Sequence, residues 1–221
     1  MKDQAIKKVV IVGGGAAGWI AAAVLARAFG KLLEIRLIES EEIGIVGVGE
    51  ATIPQIKLLN RFLKLDENEF IRRTQGTFKL GIEFCDWGRK GDAYYHAFGA
   101  IGADLGMLPF HHYWLRGRTR PANADLWAHS LNWKCAQANK FARLEKVEGA
   151  PLAGVAYAFH FDASLYAQFL REHAENAGVR RTEGRIVAVK QRDADGFIES
   201  VRMESGEEVE GELFMLPEDA A

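Results

Sequence analysis

Four groups of residues in this sequence could do chemistry. The first is Gly13-Gly14-Gly15-Ala16-Ala17-Gly18, in which Gly13, Gly15 and Gly18 keep the G-x-G-x-x-G spacing of a turn that cradles a pyrophosphate. The first glycine allows the tight turn and the second lets the main chain approach the phosphates. The third lets a helix pack closely on its strand. Ala16 and Ala17 begin that helix, whose first N–H groups and positive dipole end attract anions. The second group is Glu39, about twenty residues further on, where a carboxylate would accept from ribose hydroxyls. The plain alternative is a polar strand end. No Arg directly follows Glu39, which disfavours a ribose 2′-phosphate and leaves FAD or NAD. The third is a second glycine-rich loop, from Glu41 to Pro54, containing Gly47, Gly49, Glu50 and Ala51. Ile45, Val46 and Val48 alternate with its glycines and would be poor choices for an exposed turn, so the loop is expected to face a ligand. The fourth is Lys79. Pattern alone leaves it open between a solvated strand lysine and one lining a pocket.

The elements that must position these residues can be read from the pattern. Ile6 to Val12 is β-branched and apolar apart from Lys7 and Lys8, which predicts a buried strand. Ala16 to Ala28 predicts a helix, ended by Gly30. Leu33 to Ile38 predicts a second strand. A helix follows from Gln55 to Leu65, with Ile56, Leu59, Phe62 and Leu63 on one face. Asp66 with Glu69 forms a capping box for the next helix. Thr77 to Phe84 alternates as one strand, with Phe78, Leu80, Ile82 and Phe84 on one side and Lys79 on the other. Residues 85 to 150 hold Trp87, Trp114, Trp127 and Trp133 with His96, His111, His112 and His129, and show little periodicity. Such a segment reads as a functional insertion whose aromatic rings could stack on a flat ligand, or as a packed cap. Adjacent His111 and His112 would diverge on a strand and lie far apart around a helix. Asp162 caps a helix ending near Gly178. Ile186–Val189 pairs with Phe197–Met203 across the turn at Asp193–Gly196, starting a β-meander. A last strand runs from Leu213 to Leu216.

Composition excludes several classes. The chain has 221 residues, 48% apolar and 26% charged, with a formal net charge of −2. That balance gives no field for nucleic acid or a membrane surface. No apolar run is long enough to span a bilayer, and no signal peptide precedes the first strand, so a cytoplasmic protein is expected. Cys85 and Cys135 lie far apart, in no metal or redox spacing, and read as core packing. No H-x-x-x-H or H-x-H spacing occurs, so no metal site is expected.

Taken together, Gly13–Trp19, the loop Gly47-Val48-Gly49-Glu50-Ala51-Thr52-Ile53-Pro54, the strand Phe78-Lys79-Leu80-Gly81-Ile82-Glu83-Phe84 and Tyr157-Ala158-Phe159-His160-Phe161-Asp162-Ala163 resemble the flavin-dependent tryptophan halogenases. The resemblance runs from about Val9 to Phe214, and the four motifs stand in the family's order. It implies an α/β fold, a Rossmann-like FAD-binding domain with a β-meander and an inserted, aromatic-rich substrate region near residues 85 to 150. The whole chain, 1–221, would be a single such domain, incomplete at its C-terminus. It implies that reduced FAD and dioxygen oxidise a halide to a hypohalous acid, which halogenates an electron-rich arene such as tryptophan or another indole. Lys79 matches the family's catalytic lysine, which would hold the halogenating species as a hydrogen-bond donor or trap it as a neutral amine. Gly13, Gly15, Ala16, Ala17, Gly18, Glu39, Gly47, Gly49, Glu50 and Ala51 would bind the cofactor. Val187 would lie on its adenine side. His96 and Phe98 would sandwich the indole ring. A separate flavin reductase would supply reduced FAD as a transient partner, and a homodimer stays open.

Departures from the family pattern are visible too. Family members are roughly twice as long. Their Trp-x-Trp-x-Ile-Pro motif has no counterpart among the five Trp residues, and their catalytic glutamate lies beyond the portion matched. After Glu212-Leu213-Phe214 the sequence reads Met215-Leu216-Pro217-Glu218-Asp219-Ala220-Ala221 where the family continues into its FAD site, so a shortened chain is expected. Two other readings stay open. One is a flavin monooxygenase-like enzyme, which would have no need of Lys79. The other is a non-catalytic FAD-binding fragment.

Overall fold

A computed structural model describes residues 5–43, 49–118, 125–149 and 153–216. In chain order the described elements are β1 (Lys8–Val12), α1 (Ala16–Phe29), β2 (Glu34–Glu39), β3 (Gly49–Ala51), α2 (Ile56–Leu63), α3 (Glu67–Thr74), β4 (Thr77–Lys79), β5 (Gly81–Cys85) and β6 (Ala93–Ala97). They continue with α4 (Phe110–Gly117), α5 (Leu131–Gln137), β7 (Ala158–Asp162), α6 (Ala163–Asn176), β8 (Arg180–Glu183), β9 (Ile186–Gln191), β10 (Ile198–Met203), β11 (Glu208–Glu210) and β12 (Leu213–Met215). The chain divides into two compact units, one of residues 1–50, 59–76 and 161–221, the other of 51–58 and 77–160. Residues 85 to 150 fall within the second.

The first unit is built on a parallel sheet of order β12-β1-β2-β8. Val9, Val10 and Ile11 are buried along β1, with Ile35, Leu37 and Ile38 along β2. Strands covered on both faces read as continuous apolar runs, and these do. On α1 the buried residues Trp19, Ala22, Ala23 and Ala26 recur at helical spacing. The small Ala22, Ala23 and Ala26 let α6 pack alongside, where Tyr166, Ala167, Leu170 and Ala174 are buried. The Asp162 carboxylate caps α6 by accepting from Leu165 N–H at 2.9 Å, and Gly178 follows the helix at φ 99°. β9, β10 and β11 form the antiparallel meander. Its Val201, Met203 and Val209 join Val10 and Ile38 in one apolar cluster.

Local readings that failed did so for tertiary reasons. β8 and the parallel pairing of β12 with β1 were not visible in the sequence, since both pair with strands far away along the chain. α2 turns inward on Asn60 and Leu63, while Phe62 is 46% exposed. Asn60 takes the inward place because its carbonyl oxygen accepts from the Tyr166 hydroxyl at 3.0 Å. The Asp66 half of the capping box forms, accepting from Glu69 N–H at 2.8 Å.

In the second unit the expected single strand from Thr77 to Phe84 is two strands broken at Leu80. β4 pairs antiparallel with β7 and β5 with β6, so the alternation continues through a change of partner. Phe78 lies in an aromatic cluster, stacked on Phe141 at 3.8 Å and edge-on to Tyr157. Cys85, expected in the core, is exposed at the end of the two-stranded β5–β6 ribbon, which covers only one of its faces. His111 and His112, expected to lie apart, are both exposed at the start of α4 with ring centroids 4.1 Å apart, because neither is fixed by packing.

Candidate active site

The glycine turn of the first unit comes from a strand that must reverse into a helix within three residues. Gly13 has φ 104°, a left-handed conformation that favours glycine, and its N–H donates to Ile38 O at 2.8 Å. A Cβ on Gly18 would stand 1.9 Å from Gly13 O, so only glycine lets α1 come this close. A Cβ on Gly15 would meet nothing within 4 Å. The main chain there faces open space of the kind a pyrophosphate needs. No side chain caps α1 at Gly15, and its first turn carries no acid. The N–H groups that a helix end leaves over, those of Ala16, Ala17 and Gly18, stay available to an anion.

Glu39 ends β2 beside this turn. A Cβ on Gly14 would lie 1.5 Å from Glu39 Oε2, so the carboxylate sits directly over the loop. Trp19 Nε1 donates to Oε2 at 3.2 Å, and the Arg181 Nε–H donates to Oε1. Arg171 Nη1 approaches Oε1 at 3.5 Å. Burial works against the Arg181 charge, but its hydrogen bond to Glu39 and the fields of Glu39 and Glu183 outweigh that and raise its pKa. Both arginines were missed because Arg181 is placed by the register pairing it with Leu37 across β2 and β8, and Arg171 by the packing of α6 on α1. Val12, Gly13, Gly14, Ile38, Glu39 and Ile186 help to line an open pocket of about 200 Å³. Its apolar walls and single carboxylate match an adenosine moiety. These features fit a dinucleotide cofactor such as FAD.

The other expected cofactor residues are placed less closely. Gly47 lies outside the described residues. Gly49, Glu50 and Ala51 form the exposed strand β3. In the second unit, Thr52 N–H and Oγ1 donate to Phe159 O at 3.0 and 2.9 Å, tying the end of this loop to β7. Val187 lies on β9 next to the pocket residue Ile186, but its side chain is 55% exposed and turned away, as alternation along a strand requires.

Lys79 ends β4 in the second unit and is 7% exposed, which answers the question that pattern left open. It stands opposite Ala158 on β7, with His160 two residues along the same face. Lys79, Tyr95, Cys135 and His160 all help to line a pocket of about 280 Å³. Burial pushes the Lys79 pKa below its ordinary value. Burial and the Lys79 charge push that of His160 down as well. The lysine is thereby moved toward the neutral amine, the form that can act as a nucleophile. Phe98 is buried with its ring centroid 5.7 Å from Lys79 Nζ. His96 is exposed on β6 and lies 6.4 Å from the Trp127 ring. The structure thus brings Phe98 to Lys79 and leaves His96 on the outer side of the same strand region.

Two further residues hold this site and were missed. Asn132, 2% exposed on α5, donates through Nδ2 to Leu80 O at 3.1 Å and to Ala156 O, and accepts from Ala156 N–H at 3.2 Å. It pins the break between β4 and β5, next to Lys79. Ser130 starts α5 by accepting from Trp133 N–H at 3.2 Å. This cap was the one legible signal for the helix. A Cβ on Gly81 would come within 2.6 Å of His96 O, so the glycine after Leu80 is what lets β6 approach.

Among the described residues no group of three or more His, Cys, Asp or Glu is arranged to hold a metal, and no helix is long and apolar enough to cross a membrane. A family model for tryptophan halogenases matches residues 8–216. The chain is 36% identical to tryptophan 7-halogenase RebH from Lentzea aerocolonigenes, over 95% of this chain and 42% of that protein. It superposes on Xcc4156, a flavin-dependent halogenase from Xanthomonas campestris, with TM-score 0.87 and 44% identity, over 96% of this chain and 42% of that one. BrvH, a flavin-dependent halogenase from Brevundimonas sp. BAL3, gives TM-score 0.86 and 42% identity over the same shares. The chain spans about two-fifths of the length of these relatives. The family model covers nearly the whole chain, and the chain belongs to the tryptophan halogenase family.

Proposed function

We propose that this chain is the FAD-binding and lysine-bearing portion of a flavin-dependent halogenase acting on tryptophan or another indole. The observation that carries the reading is Lys79, buried on a pocket wall with its pKa lowered by that burial. The glycine turn from Gly13 to Gly18 and the Glu39 carboxylate would hold FAD by its pyrophosphate and ribose, with Gly47, Gly49, Glu50, Ala51 and Val187 as further contacts. Reduced FAD with dioxygen supplies the oxidising equivalents that turn halide into hypohalous acid. A separate flavin reductase would deliver it.

Lys79 does the part that belongs to this chain. As an ammonium it donates a hydrogen bond to the oxygen of hypohalous acid and polarises the O–X bond. As a neutral amine it takes the halogen from hypohalous acid, forming N–X as O–X breaks while its own proton leaves with the hydroxide as water. N–X then breaks as the halogen bonds to the arene carbon, and the proton that carbon sheds is balanced by one taken up at the nitrogen. Phe98 and His96 would bracket the arene, Phe98 from the buried side. A monooxygenase-like enzyme would use the same cofactor cradle without needing a buried lysine.

The test supplies the purified chain with reduced FAD, dioxygen, bromide and tryptophan. The expected product has gained bromine in place of hydrogen. A product that has gained oxygen, formed equally without bromide, would overturn the reading.

A further inference from the structure

Glu39 is held more firmly than a ribose acceptor at a strand end needs to be. Three elements converge on its carboxylate. α1 supplies the Trp19 indole N–H to Oε2 at 3.2 Å, β8 supplies the Arg181 Nε–H to Oε1, and α6 brings Arg171 Nη1 to 3.5 Å from Oε1. Trp19 is 1% exposed, and the Glu39 side chain is 12% exposed. Arg181 is fixed in turn, since its Nη2 also binds Glu41 at 2.8 Å and Glu183. The result is a carboxylate locked over the Gly14 main chain, lining the pocket on each side of it.

A carboxylate has about four lone-pair sites across its two oxygens. The indole and the two guanidiniums take three of these sites and leave one for a ligand. Two guanidiniums beside a ribose position could in another setting receive a 2′-phosphate. Here the Glu39 carboxylate occupies both.

We propose that Arg181 and Trp19 are positioning residues that aim Glu39 at the 2′-hydroxyl of an adenosine ribose, and so set this chain's preference for a cofactor with a free ribose. The inference rests on the reading that the glycine turn binds FAD.

The test compares the dissociation constants of oxidised FAD and of its 2′-deoxyadenosine analogue, followed by flavin fluorescence. It uses the whole chain as wild type, Trp19→Phe and Arg181→Met. The wild type is expected to prefer FAD by about tenfold, the effect of one hydrogen bond to a charged group. In both variants that preference is expected to fall below about threefold, because Glu39 is free to turn away. Arg181→Met leaves Glu39, Glu41 and Glu183 without their shared cation and can fail to fold. Trp19→Phe removes one N–H from a packed aromatic site, and it decides the matter in that event. A merely structural role would weaken both ligands equally and keep their ratio, and that result overturns the proposal. A wild type that binds both ligands with equal affinity overturns it as well, while leaving the FAD site standing. Failure of the wild type to bind either ligand overturns the FAD reading, and this inference with it.

Discussion

Replacing Asn132 with Ala should cost the fold about 2–3 kcal/mol, from three hydrogen bonds worth about 1 kcal/mol each net. Asn132 serves Leu80 O once and Ala156 twice, from a site 2% exposed. Leu80 O keeps a second donor, the Phe98 N–H at 2.9 Å, so its loss is softened. Both main-chain groups of Ala156 lose their side-chain partner. Ala156 is half-buried, so water reaches it in part, and the cost stays well below that of a fully orphaned amide. For a chain of this size a loss of that order lowers Tm by about 5–10 °C. Thermal unfolding by circular dichroism, checked by urea titration, measures it. Asn132→Asp should be worse, since it keeps one acceptor, loses both donors and buries a charge. A loss under about 1 kcal/mol for Asn132→Ala would refute the argument that this residue holds the β4–β5 break.

Four other expectations follow from the site. Gly18→Ala places a Cβ 1.9 Å from Gly13 O and should cost about 1–3 kcal/mol or more while abolishing FAD binding, read by melting and flavin fluorescence. Gly15→Ala is the contrasting case. Its φ of −72° suits any residue and its Cβ meets nothing, so the melting temperature should hold while FAD binding falls. Lys79→Met should stabilise the fold, and the gain should depend on pH. The folded pKa of Lys79 lies below its unfolded value of 10.5, so the unfolded chain binds more protons between the two, and the stability of the wild type rises with pH there. The gain from Met should therefore be full below the folded pKa and shrink toward pH 10.5. Urea midpoints measured at neutral and alkaline pH check the sign. His160, also shifted down, gives the same rising slope in a window ending at 6.5, which His160→Gln should remove.

The parts of the fold that were legible in sequence are those fixed by near neighbours. Gly13, Gly15 and Gly18 announce their turn because each answers a local steric demand. Asp66, Asp162 and Gly178 mark helix ends for the same reason. β8 escaped because Arg180-Arg181-Thr182-Glu183 is polar, and only its pairing with β2 makes it a strand. The break at Leu80 escaped because alternation persists while the partner strand changes from β7 to β6. Lys79 could be named by resemblance, but its burial could not be read from the pattern, since the pocket depends on β7, α5 and β6. Arg181 and Asn132 carry no local signature, and each acts on a residue more than 50 positions away.

Bromide incorporation into tryptophan by wild type and Lys79→Ala, compared in preparations that bind FAD equally, tests the central claim most directly. The account predicts brominated product from the wild type and none from the variant. Equal bromination by the two proteins would contradict it.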